Sequence, residues 1–373
     1  MIQRTLAQVI ASEFERNKII VVLGARQVGK TTLFSQIPIQ GEKVVHLDCD
    51  NYDSQALLEH KTTTELASLF FGADAILIDE AQRVRDIGLT LKMLGDLHLN
   101  IPIIVTGSSS LELANDINEP ATGRLLEHCL YPFSLTELAQ ANGQREEQRM
   151  LQQRLIYGLY PEVVVSPSFA QQTLINLTNS YLYKDILNYR GIQKPDVLRK
   201  LVTALALQVG SEVSYNELSN LLGIDKETVE NYINLLEKCF IVFRLDSYSR
   251  NLRNEIKKGK KIYFYDNGVR NAIISNFAPL EKRNDVGALW ENMMIAERKK
   301  RNDYQQNYAQ LFFWRTQQQK EIDLLEWKDG HLDAYEFKWN AGKHPTMPKA
   351  FADAYPDSSF AVITPDNYLG FIE

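Results

Sequence analysis

Residues 18–34 read Lys-Ile-Ile-Val-Val-Leu-Gly-Ala-Arg-Gln-Val-Gly-Lys-Thr-Thr-Leu-Phe, and this stretch decides the fold. Ile19 to Leu23 is a short apolar, β-branched run, the pattern of a buried parallel strand. Gly24 to Thr31 then fits G-x-x-x-x-G-K-[ST], and an apolar helical pattern follows. Glycine lets the backbone curl so that successive N–H groups point at phosphate oxygens, and the helix N-terminus adds the positive end of a dipole. Gly24, Ala25, Arg26, Gln27, Val28, Gly29, Lys30, Thr31 and Thr32 are therefore the expected nucleotide-binding residues. In that reading Lys30 reaches the β- and γ-phosphates of ATP and the Thr31 hydroxyl sits on Mg²⁺. The bland alternative is a glycine turn with no ligand.

Outward from this loop, the pattern alternates strand and helix. Ile2 to Arg16 has helical spacing. Lys43 to Cys49 and Ala75 to Ile78 read as strands, the latter ending in Asp79-Glu80. An acidic pair at the tip of a buried strand beside a phosphate loop is expected to supply Asp79 to the Mg²⁺ shell and Glu80 to the attacking water. The same residues would also serve as a plain helix cap. Ile101 to Val105 is a fourth strand, followed by Thr106-Gly107-Ser108-Ser109-Ser110. Thr106 and Ser108 read either as sensors of the γ-phosphate or as a helix N-cap. Leu125 to Tyr131 is a fifth strand, preceded by Arg124, which reads either as a surface ion-pair partner or as a charge aimed at a neighbouring copy's nucleotide. The second reading implies a homo-oligomer. Five such strands predict a parallel, doubly wound α/β sheet.

The chain has 373 residues, more than one ordinary core accommodates, so several domains are expected. Hydrophobic residues make up 45% and charged residues 24%, ordinary for a water-soluble globular protein. The formal net charge of −6 gives no overall basic footprint, so any nucleic-acid contact must be local. Cys49, Cys129 and Cys239 are far apart, with no zinc-ligand spacing. No signal peptide and no apolar run of membrane-spanning length stands out, so a cytoplasmic location without membrane contact is the default expectation.

Ser134 followed by Glu137 marks a helix start. Helical periodicity then runs to about Tyr189, broken at Gly158-Leu159-Tyr160-Pro161. Tyr215 to Leu222 and Glu227 to Lys238 around Gly223 read as helix–turn–helix, and Ile241 to Leu245 follows as a strand, which together predict a winged helix. Its second helix is net acidic, which favours a structural or protein contact over groove reading. The basic run Arg250, Arg253, Lys257, Lys258, Lys260 and Lys261 reads as a solvated wing loop or a backbone contact. The expected domains are residues 1–135, a helical lid at 136–195, a winged-helix-like segment at 196–250, and a C-terminal domain at 251–373.

In that last domain Asp329-Gly330 is a strong two-residue hairpin signal. Pairing Lys328 with His331 places Asp323 opposite Glu336 and Glu321 opposite Lys338, all on one face. Ile322, Leu324, Tyr335 and Phe337 fall on the other face. Two facing carboxylates destabilise a hairpin unless a positive charge lies between them. A divalent cation or the Glu321–Lys338 pair would serve equally.

These motifs together resemble a bacterial and archaeal family of predicted AAA+ ATPases whose C-terminal domain is similar to the PD-(D/E)XK nuclease fold. The resemblance rests on Gly-Ala-Arg-Gln-Val-Gly-Lys-Thr, Ile-Asp-Glu-Ala-Gln, Thr-Gly-Ser-Ser, Lys184-Asp185-Ile186, Tyr265-Asp266-Asn267-Gly268, Glu321-Ile322-Asp323 and Glu336-Phe337-Lys338. It implies ATP and Mg²⁺ as cofactors and an arginine finger at Arg124. For the C-terminal domain it implies a catalytic set of Asp323, Glu336 and Lys338, with a second Mg²⁺ or Mn²⁺ held by Asp323, Glu336 and Glu291. Two functions follow as expectations: an ATPase coupled to a nuclease acting on nucleic acid, or an ATP-driven switch whose C-terminal domain only binds a nucleic-acid or protein partner.

Overall fold

The computed structural model describes residues 1–107, 123–180, 194–249, 259–342 and 344–373. Ser108, Lys184 to Ile186, and the basic positions Arg250, Arg253, Lys257 and Lys258 lie outside them. The chain divides into two compact units, Met1–Phe133 with Lys238–Phe240, and Ser134–Glu237 with Ile241–Glu373.

The first unit is built on five parallel strands: β1 (Ile19–Leu23), β2 (Val44–Asp48), β3 (Ala75–Asp79), β4 (Ile103–Gly107) and β5 (Leu125–Cys129). Their order is β2-β3-β4-β1-β5. The central strands are buried at every position, as a parallel sheet covered by helices requires. Ile19, Val21, Ile76, Ile78, Ile103 and Val105 share one core with Leu58, Leu66, Leu91 and Leu94. Strand β4 begins two residues later than expected. Pro102 has no N–H for the ladder, so pairing starts beyond it, and Thr106 becomes a strand-tip residue beside Asp79. The first helix is shorter than its periodicity, Thr5–Ser12, followed by a 3₁₀ turn that ends at left-handed Asn17.

In the second unit Ser134 and Glu137 form a reciprocal capping box that opens the helix Leu135–Asn142. The interruption at Gly158 is an inter-helix turn, and Leu159 N–H donates to buried Asp266 at 2.7 Å. Helices Tyr215–Leu222 and Lys226–Lys238 occur where helix–turn–helix spacing puts them. The strand expected after them at Ile241 to Leu245 forms, but within a larger sheet. The unit's sheet has seven strands: β6 (Glu212–Val213), β7 (Val242–Ser247), β8 (Lys260–Phe264), β9 (Gln310–Arg315), β10 (Glu321–Lys328), β11 (His331–Phe337) and β12 (Ser359–Ile363). The order is β12-β11-β10-β9-β7-β8-β6. Strand β7 is interior, antiparallel to β8 and parallel to β9. It is therefore continuous with the C-terminal strands, and the expected boundary at 250 falls between two strands of one sheet.

The hairpin forms as its turn demands. Asp329 and Gly330 both have positive φ, 50° and 88°, the type I′ requirement, and the register runs from Lys328↔His331 to Leu324↔Tyr335. Against β9, however, β10 shifts register between Ile322 and Leu325. That irregularity breaks the alternation. Ile322 joins Leu325, Trp314 and Phe351 in one core cluster, instead of sharing a face with Leu324.

Candidate functional site

The phosphate loop leaves β1 at Leu23 and enters the helix Lys30–Phe34. A Cβ on Gly24 would lie 2.4 Å from Leu130 O, so only glycine fits where the loop passes β5's end. Gln27 and Gly29 take positive φ, 60° and 93°, curling the backbone around the loop's interior. Lys30 is 5% exposed. Its Nζ donates to Gly24 O at 3.3 Å and Ala25 O at 3.1 Å, and it lies 3.7 Å from Glu80 Oε1. Burial pushes the Lys30 ammonium below its ordinary value, while Glu80 and Asp79 act against that shift.

Strand β3 brings its acids to the same place. Thr31 Oγ1 donates to Asp79 Oδ2 at 2.6 Å, and Thr106 donates from the neighbouring strand tip to Asp79 Oδ1. The Glu80 N–H donates to Thr106 Oγ1 at 3.2 Å. Glu80 itself has left-handed backbone, φ 50°, which turns its side chain off the strand. The expectation that Thr106 reads phosphate meets a hydroxyl already engaged by Asp79 and by the backbone of Glu80. A hydroxyl and a carboxylate this close form the hard-oxygen pair that Mg²⁺ takes, and a buried ammonium stands beside them. These residues fit an Mg²⁺–nucleotide.

One participant has no role in the sequence reading. Gln82 Nε2 donates to Glu80 Oε2 at 2.5 Å. A carboxylate only accepts, so the amide must turn its nitrogen to Glu80. The signal was its place in the Asp79-Glu80-Ala81-Gln82 turn. Arg124 has a partner in its own unit: its Nε donates to Asp96 at 2.6 Å. It precedes Leu125, which pairs with Ile19, whereas the phosphate loop leaves the other end of β1 at Leu23. Its own nucleotide loop is thus a strand's length away.

In the second unit the expected acids gather, with more positive charge than the sequence indicated. Lys338 Nζ donates to Glu336 Oε1 at 2.7 Å and lies 3.9 Å from Asp323 Oδ2, which also accepts the Phe337 N–H at 2.8 Å. Glu321 does not face Lys338. The register shift turns it to Arg315 Nε, 3.5 Å away, and to Lys261. Lys261, expected in a solvated basic run, lies on β8 and is 1% exposed. Its Nζ donates to Glu291 Oε1 at 3.1 Å, and Tyr263 O–H donates to the same oxygen at 2.6 Å. Strand alternation puts Lys261 and Tyr263 on one face, which was the available signal.

Burial, with Asp323 beside it, raises the Glu291 carboxyl to about 7 despite Lys261. Burial also raises Asp323 and Glu336. Lys261 goes the other way: burial lowers it, but Glu291, Glu321 and Asp323 together outweigh burial and raise it. The two partners differ because Lys261 faces three acids while Glu291 faces one cation and a like charge. Among the described residues no three His, Cys, Asp or Glu side chains converge as a ready metal cage. Asp323, Glu336 and Glu291 were expected to share an ion; two lysines now engage those oxygens, so the set does not fit one as it stands.

Residues 16–139 match the family model described as an AAA domain. Residues 148–280 and 286–369 match two models, each described as a domain of unknown function, DUF8612 and DUF4143. The first unit thus carries an AAA-type P-loop ATPase domain. An uncharacterized protein of Haemophilus influenzae is 25% identical over 276 residues, 67% of this chain and 68% of its own length. One of Mycobacterium tuberculosis is 24% identical over 376 residues, covering 96% of this chain and 78% of its own. Among solved structures, a Walker-type ATPase of Pyrococcus abyssi is 16% identical with a TM-score of 0.49, covering 74% of this chain and 96% of that one. Among the described residues no helix is long and apolar enough to cross a membrane.

Proposed function

We propose that the chain is an Mg²⁺-dependent ATP hydrolase working as a switch, with Lys30 binding the β- and γ-phosphates, Thr31 and Asp79 holding Mg²⁺, and Glu80 orienting the attacking water. The observation that carries this reading is the convergence of the β3 tip on the phosphate loop: Thr31 Oγ1 is 2.6 Å from Asp79 and Lys30 Nζ 3.7 Å from Glu80. Mg²⁺ supplies charge neutralisation between the phosphates. Thr106 sets the orientation of Asp79 and of the Glu80 backbone. The remaining loop positions, Gly24 to Gly29 and Thr32, contribute backbone N–H groups and shape.

The test pairs two variants. Lys30→Ala is expected to lose nucleotide binding, because the phosphate charge loses its main partner. Glu80→Gln is expected to bind ATP like the parent and to turn it over far more slowly. Unchanged turnover in Glu80→Gln would refute the assignment of Glu80.

A second reading couples hydrolysis to nucleic-acid cleavage by Asp323, Glu336 and Lys338. It is favoured by the close approach of Lys338 to both acids, and it is opposed by Lys261. Metal-dependent cleavage of single- or double-stranded substrates, lost in Asp323→Ala, would establish it. The switch reading expects none, with the C-terminal unit serving a protein or nucleic-acid partner.

A further inference from the structure

The face of the C-terminal sheet that carries Phe313 and Tyr263 holds a compact charge cluster. Lys261 enters it from β8, Glu291 from the helix Val286–Tyr304, Glu321 and Asp323 from β10, and Glu336 and Lys338 from β11 and the residue just beyond it. The Lys261 ammonium lies 2.5 Å from Glu321 Oε1 and 3.1 Å from Glu291 Oε1. It is also 5.5 Å from the centre of the Phe313 ring, an aromatic face that favours a cation. Glu291 Oε1 is further fixed by Tyr263, Asp323 Oδ2 by the Phe337 N–H, and Glu336 Oε1 by Lys338. Each of these four acids thus has a fixed donor or cation.

We infer that Lys261 is the resident cation of this cluster: its ammonium supplies the compensation that a divalent ion would otherwise give to Glu291, Glu321 and Asp323, and it keeps such an ion out. Taking a buried carboxylate group out of water is costly unless a positive charge accompanies it. Two ammonium groups, Lys261 and Lys338, bring the same charge as one divalent ion. They are covalently attached, so they lose less freedom on arrival than an ion drawn from solution and stripped of its water. A divalent ion would compete with Lys261 and Lys338 for the same carboxylate groups, and Lys261 is buried among them. The cluster is then a charge lock tying β8 and the long helix to β10. This inference does not depend on ATP hydrolysis, and failure of the Glu80 assignment would leave it untouched.

The experiment uses the full chain without nucleotide and reads thermal unfolding with and without millimolar Mn²⁺, alongside a count of bound Mn²⁺ per chain by electron paramagnetic resonance. The parent and Asp323→Ala are expected to respond to Mn²⁺ equally, with no bound ion depending on Asp323. Lys261→Met, which keeps the stem and removes the charge, is expected to melt lower without metal. It should gain several degrees and one further Mn²⁺, both lost in Lys261→Met/Asp323→Ala. An Asp323-dependent Mn²⁺ in the parent would overturn the inference. So would a folded Lys261→Met that gains none. Should Lys261→Met fail to fold, Lys261→Gln is read the same way, and the parent's own count still decides.

Discussion

The Thr106 hydroxyl donates to Asp79 Oδ1 across two adjacent parallel strand tips while accepting the N–H of Glu80 at 3.2 Å. One buried hydroxyl thereby orients both acids of the nucleotide site. Thr106→Val keeps the shape and removes both bonds. The Glu80 N–H and Asp79 Oδ1 then keep only their 3.1 Å bond to each other, and the carboxylate loses a fixed donor. The variant is therefore expected to need several-fold more Mg²⁺ for half-maximal ATP turnover, with Thr106→Ser restoring the parent's dependence. A Mg²⁺ titration of steady-state hydrolysis checks it; identical curves for the parent and Thr106→Val would leave Thr106 as mere core filling.

Gln82 holds Glu80 Oε2, which leaves Oε1 turned toward Lys30. Gln82→Glu keeps the volume and replaces the donor by a second carboxylate. Turnover is expected to fall at least about tenfold, the effect of roughly 1.4 kcal/mol at the transition state, with the KM for ATP little changed. Gln82→Ala should behave alike. If the side chain only filled space, Gln82→Glu would match the parent while Gln82→Ala would not.

The first sheet and the hairpin were legible in the sequence because their signals are local. A five-residue apolar run, a glycine loop and an apolar helix follow each other directly at Ile19 to Phe34, and Asp329-Gly330 fixes its register within the hairpin itself. The hidden parts depend on residues distant in the chain. Strand β7 pairs in parallel with β9 only through Asp246↔Phe312 and Ser247↔Phe313, contacts that no pattern around 242–247 announces. Lys261 reads as one more member of a basic run, and its burial becomes tolerable only when Glu291 and Glu321 arrive from a helix and a strand further on. The register shift after Ile322 has no Gly or Pro to mark it.

Arg124 is half-exposed and paired with Asp96, at the opposite end of β5 from its own phosphate loop. We propose that it serves the nucleotide of a neighbouring copy. An arginine acting in trans is worth about 10³ or more in rate. Arg124→Ala is expected to keep ATP affinity and lose most turnover. Mixing it with Lys30→Ala should recover activity, because one partner supplies the intact loop and the other the arginine. Full activity of Arg124→Ala, or of a monomer at all dilutions, would leave the Asp96 pair as its whole role.

Asp285 stands at the start of the helix Val286–Tyr304 and accepts from Arg283 Nε at 2.8 Å and from Arg270 Nη1. Both guanidinium groups are almost wholly buried and reach further into the unit, Arg270 to Ala206 O and Arg283 to Asn276 O. Burial alone would raise the Asp285 carboxyl, but the bonds from Arg283 and Arg270 outweigh it and lower it from 3.8 to about 2. A carboxyl lowered in the folded state stabilises the fold above its unfolded value, and that contribution disappears as pH falls through the folded one. The shift corresponds to about 2 kcal/mol, present near neutral pH and lost between roughly pH 4 and pH 2. Asp285→Asn is therefore expected to be less stable than the parent by about that amount at pH 6, and the gap should narrow below pH 4. Urea unfolding of both proteins across pH 6 to 3 measures it; a gap that stays constant would mean that Asp285 acts through shape and not through charge.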